Sequence, residues 1–184
     1  LLAAGIELSS QVATALMYGI KSDTAGFHRQ HVSWDLEVHQ ALFPYVDGRR
    51  LAGIENPPLP RDYFVELRRA LDNATIYGRA IIVNLKRVGN PDMIPLVADL
   101  FLRYEGCEWV MAVGFHDTTI RISLRTSSPG ADAGRVIRKM IRRRGSGGGH
   151  GEMAAAQLPL TAAHPEVQYD ILVDDLIPTF LKQV

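Results

Sequence analysis

Hydrophobic positions in the first sixty residues follow helical spacing. Between residues 12 and 17, apolar side chains recur every three or four positions, after Ser9 and Ser10, either of which suits a helix N-cap. A shorter helical pattern covers residues 34–45. Three prolines within residues 57–60 then interrupt the pattern, and they mark the best linker candidate in the chain.

After this linker, helical and strand patterns alternate. The helical patterns lie at residues 60–74, 90–102, 132–144 and 170–184, the last of them interrupted at Pro178. The strand patterns lie at residues 79–85, 109–115, 119–124 and 153–160. The polar turn at residues 116–118 predicts an antiparallel pair, and Ile120, Ile122 and Leu124 alternate with polar residues along its second strand. These elements predict an α/β fold in which helices flank a mixed β-sheet.

Composition narrows the class of protein. The 184 residues carry 20 Lys and Arg against 20 Asp and Glu, so the formal net charge is zero, and 47% of the residues are hydrophobic. This composition is globular, which excludes a disordered tail, a collagen-like repeat and a coiled coil. A zero net charge argues against a surface that is basic throughout, but it allows a local basic patch.

The sequence shows no pattern of a membrane or secreted protein. No apolar run approaches the ~20 residues that span a bilayer, and the first residues lack the basic region of a signal peptide. The single cysteine, Cys107, excludes an intramolecular disulfide and a multi-thiolate metal site. We therefore expect a cytoplasmic protein without membrane contact. Because the sequence begins without Met and inside a helical pattern, we expect it to be a piece of a longer protein.

The stretch from Arg125 to Ala156 carries the strongest chemical signal. A basic helix is predicted to end at Gly145 as its C′ residue, and the run Gly147–Gly148–Gly149–His150 follows. Consecutive glycines are suited to a loop whose backbone N–H groups approach an anion, and His150 could donate to a phosphoryl oxygen or move a proton. Arg125 adds a bidentate phosphate donor, with hydroxyls such as that of Ser127 beside it. The competing interpretation is a flexible loop after a solvated basic helix.

A second feature surrounds Asp23, in a polar turn after the first predicted helix. A lone Asp in such a turn is usually a turn-former or a cap. His28, His31 and His39 follow, but their spacing matches no compact pair of zinc ligands, so we expect them to be surface or packing residues.

Together these features resemble the DHH/DHHA1 phosphoesterases, a family that includes nanoRNases, pAp phosphatases and exopolyphosphatase-like proteins. Residues 15–27 look like the family's fourth metal motif, and Arg125–Ser127 with Gly147–Ala155 look like its substrate-binding DHHA1 domain. The resemblance implies that residues 1–55 are the helical end of a DHH catalytic domain with a linker. It implies that residues 56–184 are a DHHA1-like substrate-binding domain.

The resemblance also implies roles for individual residues. Asp23 would be one ligand of a Mn²⁺ or Mg²⁺ centre in the full-length protein, and His150 would be catalytic, facing the scissile phosphate. The residues implied to bind substrate are Arg125, Ser127, Gly147, Gly148, Gly149 and His150. None of the family's other metal motifs occurs in this sequence. Asn90–Ile94 echoes the first of them, but Ile94 stands where its second carboxylate should be. We therefore expect this chain to hold no metal stably and to be inactive by itself.

These observations leave two classes of function open. The first is the substrate-binding part of a metal-dependent phosphoesterase that acts on short oligonucleotides, pAp-like nucleotides or related phosphorylated substrates. The second is a non-catalytic module that binds nucleotides or single-stranded RNA. The expected partners are a phosphorylated ligand and the missing N-terminal DHH domain. Apolar surface left on residues 1–55 without that domain would favour a homodimer.

Overall fold

The computed structural model describes residues 5, 7–24, 26–27 and 32–184. His28 and His31, for which we predicted surface or packing roles, lie outside these residues. The chain divides into two compact units, Leu1–Leu59 and Pro60–Val184. The assignment of residues 1–55 and 56–184 to particular domains stays a prediction.

The first unit is helical. Its helices are α1 (Ser10–Asp23), α2 (Ser33–Leu42) and α3 (Gly48–Glu55), with a 3₁₀ turn at Phe43–Tyr45. The side chain of Ser9 caps α1, as predicted, by accepting the N–H of Val12 at 3.4 Å. Leu8, Ala13, Met17 and Leu42 form its small core. The α3 helix was not predicted; none of its residues is buried, although Leu51 packs against this core.

The second unit is a six-stranded mixed sheet with helices on both faces, which confirms the predicted fold class. Its helices are α4 (Arg61–Asp72), α5 (Met93–Phe101), α6 (Ala133–Ile141) and α7 (Pro165–Leu181). Its strands are β1 (Ala74–Tyr77), β2 (Ala80–Arg87), β3 (Trp109–His116), β4 (Thr119–Thr126), β5 (Ser146–His150) and β6 (Met153–Pro159). The strand order is β1-β2-β3-β4-β6-β5, and only β2 and β3 pair in parallel.

The two faces of this sheet are covered unequally. On one face, α6 and α7 pack against inward side chains of β2, β3, β4 and β6, including Met111, Ile122 and Ala156. On the other face, α4 and α5 cover an apolar cluster that takes its strand residues from β2 and β3, among them Val83 and Ala112. On this second face, β4, β6 and β5 contribute no residue to that apolar cluster.

Three local predictions are wrong. The predicted glycine loop at residues 146–151 is largely a strand, because Ser146–His150 pairs with β6 along its whole length. Helix α6 ends at Ile141 rather than before Gly145, since Arg142 already takes a positive φ of 51°. Helix α7 starts at Pro165 and continues through Pro178 to Leu181. In β5 and α7, tertiary packing overrides a local breaker signal.

No helix among the described residues is long and apolar enough to cross a membrane. Cys107 is buried, and its Sγ lies 3.3 Å from the carbonyl oxygen of Trp109. Burial raises the pKa of the Cys107 thiol above its ordinary value. It therefore behaves as the small hydrophobic residue that the sequence predicts.

Candidate functional site

Strand β4 presents a polar stripe to the less covered face of the sheet. Ile120, Ile122 and Leu124 are buried on the opposite face. Because side chains alternate along a strand, Arg121, Ser123 and Arg125 share the other face. The β4 pattern therefore places two guanidinium groups on one side of a single strand.

The strand register extends this stripe into a groove. Arg121, Ser123 and Arg125 lie opposite Gln157, Ala155 and Met153 of β6, and these lie opposite Ser146, Gly148 and His150 of β5. Paired residues in a ladder share a face. Ala155, Gln157 and His150 are exposed, so no helix covers them. The resulting groove has a volume of about 350 Å³, and β4, β6, β5 and the start of α5 line it.

Arg125 is the most firmly held side chain in the groove. Its Nε donates to Asp99 Oδ1 of α5 at 2.6 Å, and its Nη1 donates to Ser123 Oγ at 2.8 Å and to the carbonyl oxygen of Leu124 at 3.0 Å. Only 13% of the side chain is exposed. Its Nη2 has no hydrogen-bond partner among the described residues. Arg125 is thus a preoriented guanidinium with one nitrogen left for a ligand.

The glycines of β5 allow close backbone packing. A Cβ on Gly149 would collide with the backbone of Met153 and Ala154. A Cβ on Gly147 would lie 2.7 Å from Ala156 Cβ and 2.9 Å from Ile141 Cδ1. Both positions therefore have no room for a side chain, although the Gly149 backbone also borders the groove. The small residues of β6 allow this close packing.

Gly148 belongs to the groove instead. A Cβ built there meets nothing within 4 Å. Its register partner Ala155 is exposed on the groove face. Gly148 thus leaves backbone accessible at the groove floor, where a ligand can approach it closely.

His150 ends β5 just before the two-residue turn Gly151–Glu152. The turn is held from both sides, since Thr126 N–H donates to the Glu152 carbonyl and Ala133 N–H donates to the Gly151 carbonyl, each at 2.9 Å. The His150 side chain is exposed, and its imidazole makes no hydrogen bond with the described residues. A rigid turn therefore presents a free imidazole at the groove.

A loop before α5 forms the opposite wall with Pro91 and Asp92. The loop is anchored by Glu66 of α4, whose Oε1 accepts the Gly89 N–H at 2.6 Å. Glu66 is only 7% exposed, and its Oε2 is buried without a hydrogen-bond partner in the described part of the chain. This carboxylate therefore positions the wall without contacting the groove.

The structure brings together some of the predicted site residues. Arg125, Gly148, Gly149 and His150 all line the groove. Gly147 does not line it, and neither does Ser127, whose Oγ donates to the Cys107 carbonyl at 3.3 Å.

Asp23 is the exposed last residue of α1, in the first unit. Among the described residues, no group of three or more His, Cys, Asp or Glu could hold a metal ion. Of the histidines near Asp23, His39 is partly buried, and its ring meets Phe27 edge-on at 5.2 Å. The described residues therefore do not form a metal centre around Asp23.

Four residues of this region were missed by sequence reasoning: Arg121, Ser123, Gln157 and Asp99. The alternation of Ile120, Ile122 and Leu124 could have indicated Arg121 and Ser123, because it implies that the residues between them lie on a polar opposite face. No local signal identified Gln157 or Asp99, since strand register and helix packing bring them to Arg121 and Arg125.

Comparison with known proteins agrees with this architecture. The family model of the DHHA1 domain matches residues 78–177, more than half of the chain. An uncharacterized protein of Methanocaldococcus jannaschii is 35% identical over 156 residues, which are 84% of this chain and 32% of that protein. The chain therefore spans about a third of this relative.

Solved structures share the fold. An exopolyphosphatase-related protein from Bacteroides fragilis superposes with a TM-score of 0.70 at 14% identity, over 95% of this chain and 51% of that one. RecJ from Thermus thermophilus, in complex with Mg²⁺, has a TM-score of 0.48 at 16% identity over 91% of this chain and 25% of RecJ. The RecJ likeness is too distant to bear on function. The chain therefore shares the fold of the exopolyphosphatase-related protein.

Proposed function

The chain belongs to the DHHA1 domain family, as its motifs predict, and we propose that it is the substrate-binding part of a metal-dependent phosphoesterase. The substrates we propose are short oligonucleotides, pAp-like nucleotides or related phosphorylated molecules. Arg125, Gly148, Gly149 and His150 would bind the phosphate, with His150 facing the scissile bond.

One observation carries this proposal: the groove joins the preoriented guanidinium of Arg125, the bare backbone of Gly148 and the imidazole of His150. A phosphate group needs donors that converge from several directions. Arg125 supplies a rigid donor, and His150 can donate a proton or a hydrogen bond. The β4–β6–β5 floor holds all three at fixed spacing, which favours recognition of a small rigid anion.

For hydrolysis, we propose that Asp23 contributes one ligand to a Mn²⁺ or Mg²⁺ centre in a longer protein. Two divalent ions need several oxygen or imidazole ligands, and the described residues hold no such cluster. The remaining ligands would come from a DHH domain. We therefore propose that this chain binds its ligand but does not turn it over.

The alternative is binding without hydrolysis, as in a reader of single-stranded RNA. Such readers stack bases on aromatic rings. None of the described residues that line the groove is Phe, Tyr or Trp. This observation favours the phosphoesterase, in which the phosphate rather than the base is recognised.

The partners we propose, besides the ligand, are a DHH domain and a second copy of the chain. In the first unit, Trp34 and Phe43 are 69% and 70% exposed. Large apolar side chains at such exposure favour contact with another protein surface.

Binding is tested by NMR titration of the full 184-residue chain with a 5′-phosphorylated dinucleotide. We expect shifts at the amides of Gly148, Gly149 and His150, and we expect Arg125→Ala to weaken binding by about tenfold or more, the value of a charge-assisted contact. Arg143→Ala is the matched control, because Arg143 is exposed and does not line the groove. Unchanged spectra at millimolar ligand, or equal effects of the two variants, would reject the binding site.

Hydrolysis is tested separately, on a longer protein that includes the DHH domain. We expect that protein with Mn²⁺ to release mononucleotide or phosphate, and we expect Asp23→Asn to abolish release while leaving ligand binding in place. Full activity in Asp23→Asn would remove Asp23 from the metal site. Binding without any turnover would favour the non-catalytic module.

A further inference from the structure

Of the two arginines that line the groove, Arg121 lacks a carboxylate partner among the described residues. Arg125 is paired with Asp99 at 2.6 Å. The Arg121 side chain makes no ion pair and no hydrogen bond within the described part of the chain, and its Nε is buried. A buried guanidinium nitrogen without a partner is costly, because the hydrogen bond that it made with water is lost and not replaced. The terminal nitrogens of Arg121, Nη1 and Nη2, also make no hydrogen bond among the described residues, but they are not buried, so these are the atoms that a ligand in the groove can reach.

A second group able to bind an anion lies beside Arg121. Its neighbour on β3 is Gly114, whose side-chain space is filled by Ile94 and Leu85, and its neighbour on β6 is the exposed amide side chain of Gln157. Arg121 and Gln157 both line the groove. A guanidinium and an amide side by side can bind one phosphate through several N–H donors.

Arg121 and Arg125 occupy different positions along the groove. They are four residues apart on β4, and with a rise of about 3.3 Å per residue their Cα atoms are separated by about 13 Å. Ser123 and Ala155 lie on the floor between them and carry no charge. The groove therefore has two cationic positions with a neutral gap.

We propose that Arg121, with Gln157, forms a second anion subsite that selects ligands carrying two separated phosphates over ligands carrying one. This inference rests on the proposed function, since Arg125 and His150 form the first subsite. A phosphodiester chain of a few nucleotides would occupy both subsites, whereas a nucleoside monophosphate would occupy only the first. Arg121 thereby sets the length preference of the site.

The test compares two probes on the full chain: a 5′-phosphorylated trinucleotide, which carries three phosphates, and a nucleoside 5′-monophosphate. We expect Arg121→Gln to raise the Kd of the trinucleotide by about tenfold and that of the monophosphate by less than about twofold. The slope of log affinity against log salt should also fall by about 0.7 for the trinucleotide alone.

Two further variants keep the outcomes distinct. Arg121→Lys retains the charge and should keep most of the trinucleotide affinity, whereas Arg143→Ala controls for the loss of a positive charge elsewhere. Thermal unfolding verifies that each variant is folded. If Arg125→Ala weakens both probes and Arg121→Gln weakens neither, or both equally, the second subsite is rejected and the proposed function stands. If Arg125→Ala weakens neither probe, the proposed function itself fails.

Discussion

Asp99 on α5 holds Arg125 on β4, with Oδ1 and Nε 2.6 Å apart. The contact joins a helix to a strand residue 26 positions later in the chain. Two further acceptors, Ser123 Oγ and the carbonyl oxygen of Leu124, take up Nη1 of the same guanidinium. The group is therefore oriented before any ligand arrives, which reduces the entropy that binding would cost.

Removing Asp99 should destabilise the fold through Arg125. We expect Asp99→Ala to lower the free energy of unfolding by about 1–2 kcal/mol, because it leaves a mostly buried guanidinium with one partner fewer. Urea denaturation measures the change. A double-mutant cycle with Arg125→Ala should give a coupling of at least about 0.5 kcal/mol, and strictly additive effects would contradict the assignment.

Neighbouring glycines of β5 should respond oppositely to the same substitution. Gly149→Ala should destabilise the protein by about 2 kcal/mol or more, because the new methyl group would overlap the β6 backbone. Gly148→Ala should be neutral within about 1 kcal/mol, since that position is open. Thermal or urea unfolding distinguishes the two variants. Similar losses in both would mean that β5 does not pack as described.

Glu66 should control the groove wall without contacting a ligand. Glu66→Ala removes the hydrogen bond to Gly89. We therefore expect faster hydrogen exchange at residues 88–92 and a free energy of unfolding that is lower by about 1–2 kcal/mol. Glu66→Gln is the matched control, because its amide oxygen can still accept the Gly89 N–H. Equal exchange rates in Glu66→Ala and Glu66→Gln would exclude an anchoring role.

Stability at alkaline pH should depend on Tyr169. Its hydroxyl donates to Asn84 Oδ1 at 2.6 Å, and the ring is buried. Burial, and to a smaller extent the charge of Asp170, raise the pKa of Tyr169 well above its ordinary value. The unfolded chain therefore releases this proton at lower pH than the folded one. The contribution of Tyr169 to the free energy of unfolding is therefore retained below about pH 10. Above that pH the free energy of unfolding falls, by up to about 1.4 kcal/mol per pH unit.

Tyr169→Phe separates this effect from other groups that titrate at alkaline pH. At pH 8 the variant should be less stable by about 1 kcal/mol, the value of the lost hydrogen bond. Above about pH 10 the difference in the free energy of unfolding should shrink and then reverse. Urea denaturation at about pH 8, 10 and 11, on either side of the ordinary tyrosine pKa, measures it. Parallel pH profiles would show that Tyr169 does not titrate differently in the two states.

Much of the second unit could be predicted because its elements carry strong local patterns. The alternation of Ile120, Ile122 and Leu124 predicted β4, which the structure confirms, and the turn at residues 116–118 predicted its antiparallel pairing with β3. Strand β5 was missed because three glycines have no strand propensity. They pair because β6 supplies a backbone ladder and small side chains for close packing.

By itself, the sequence determined the family, the α/β class and most of the residues that we propose to bind phosphate, because hydrophobic period and motif order are local properties. Only the tertiary structure decided which of those residues meet. In the folded chain, Ser127 donates to the Cys107 carbonyl and Gly147 packs against Ile141. Asp99 accepts a hydrogen bond from Arg125. The tertiary structure also added Arg121 and Gln157 to the groove. The physical reason is strand register: a contact between β4, β6 and β5 depends on pairings between distant segments, which no local pattern contains.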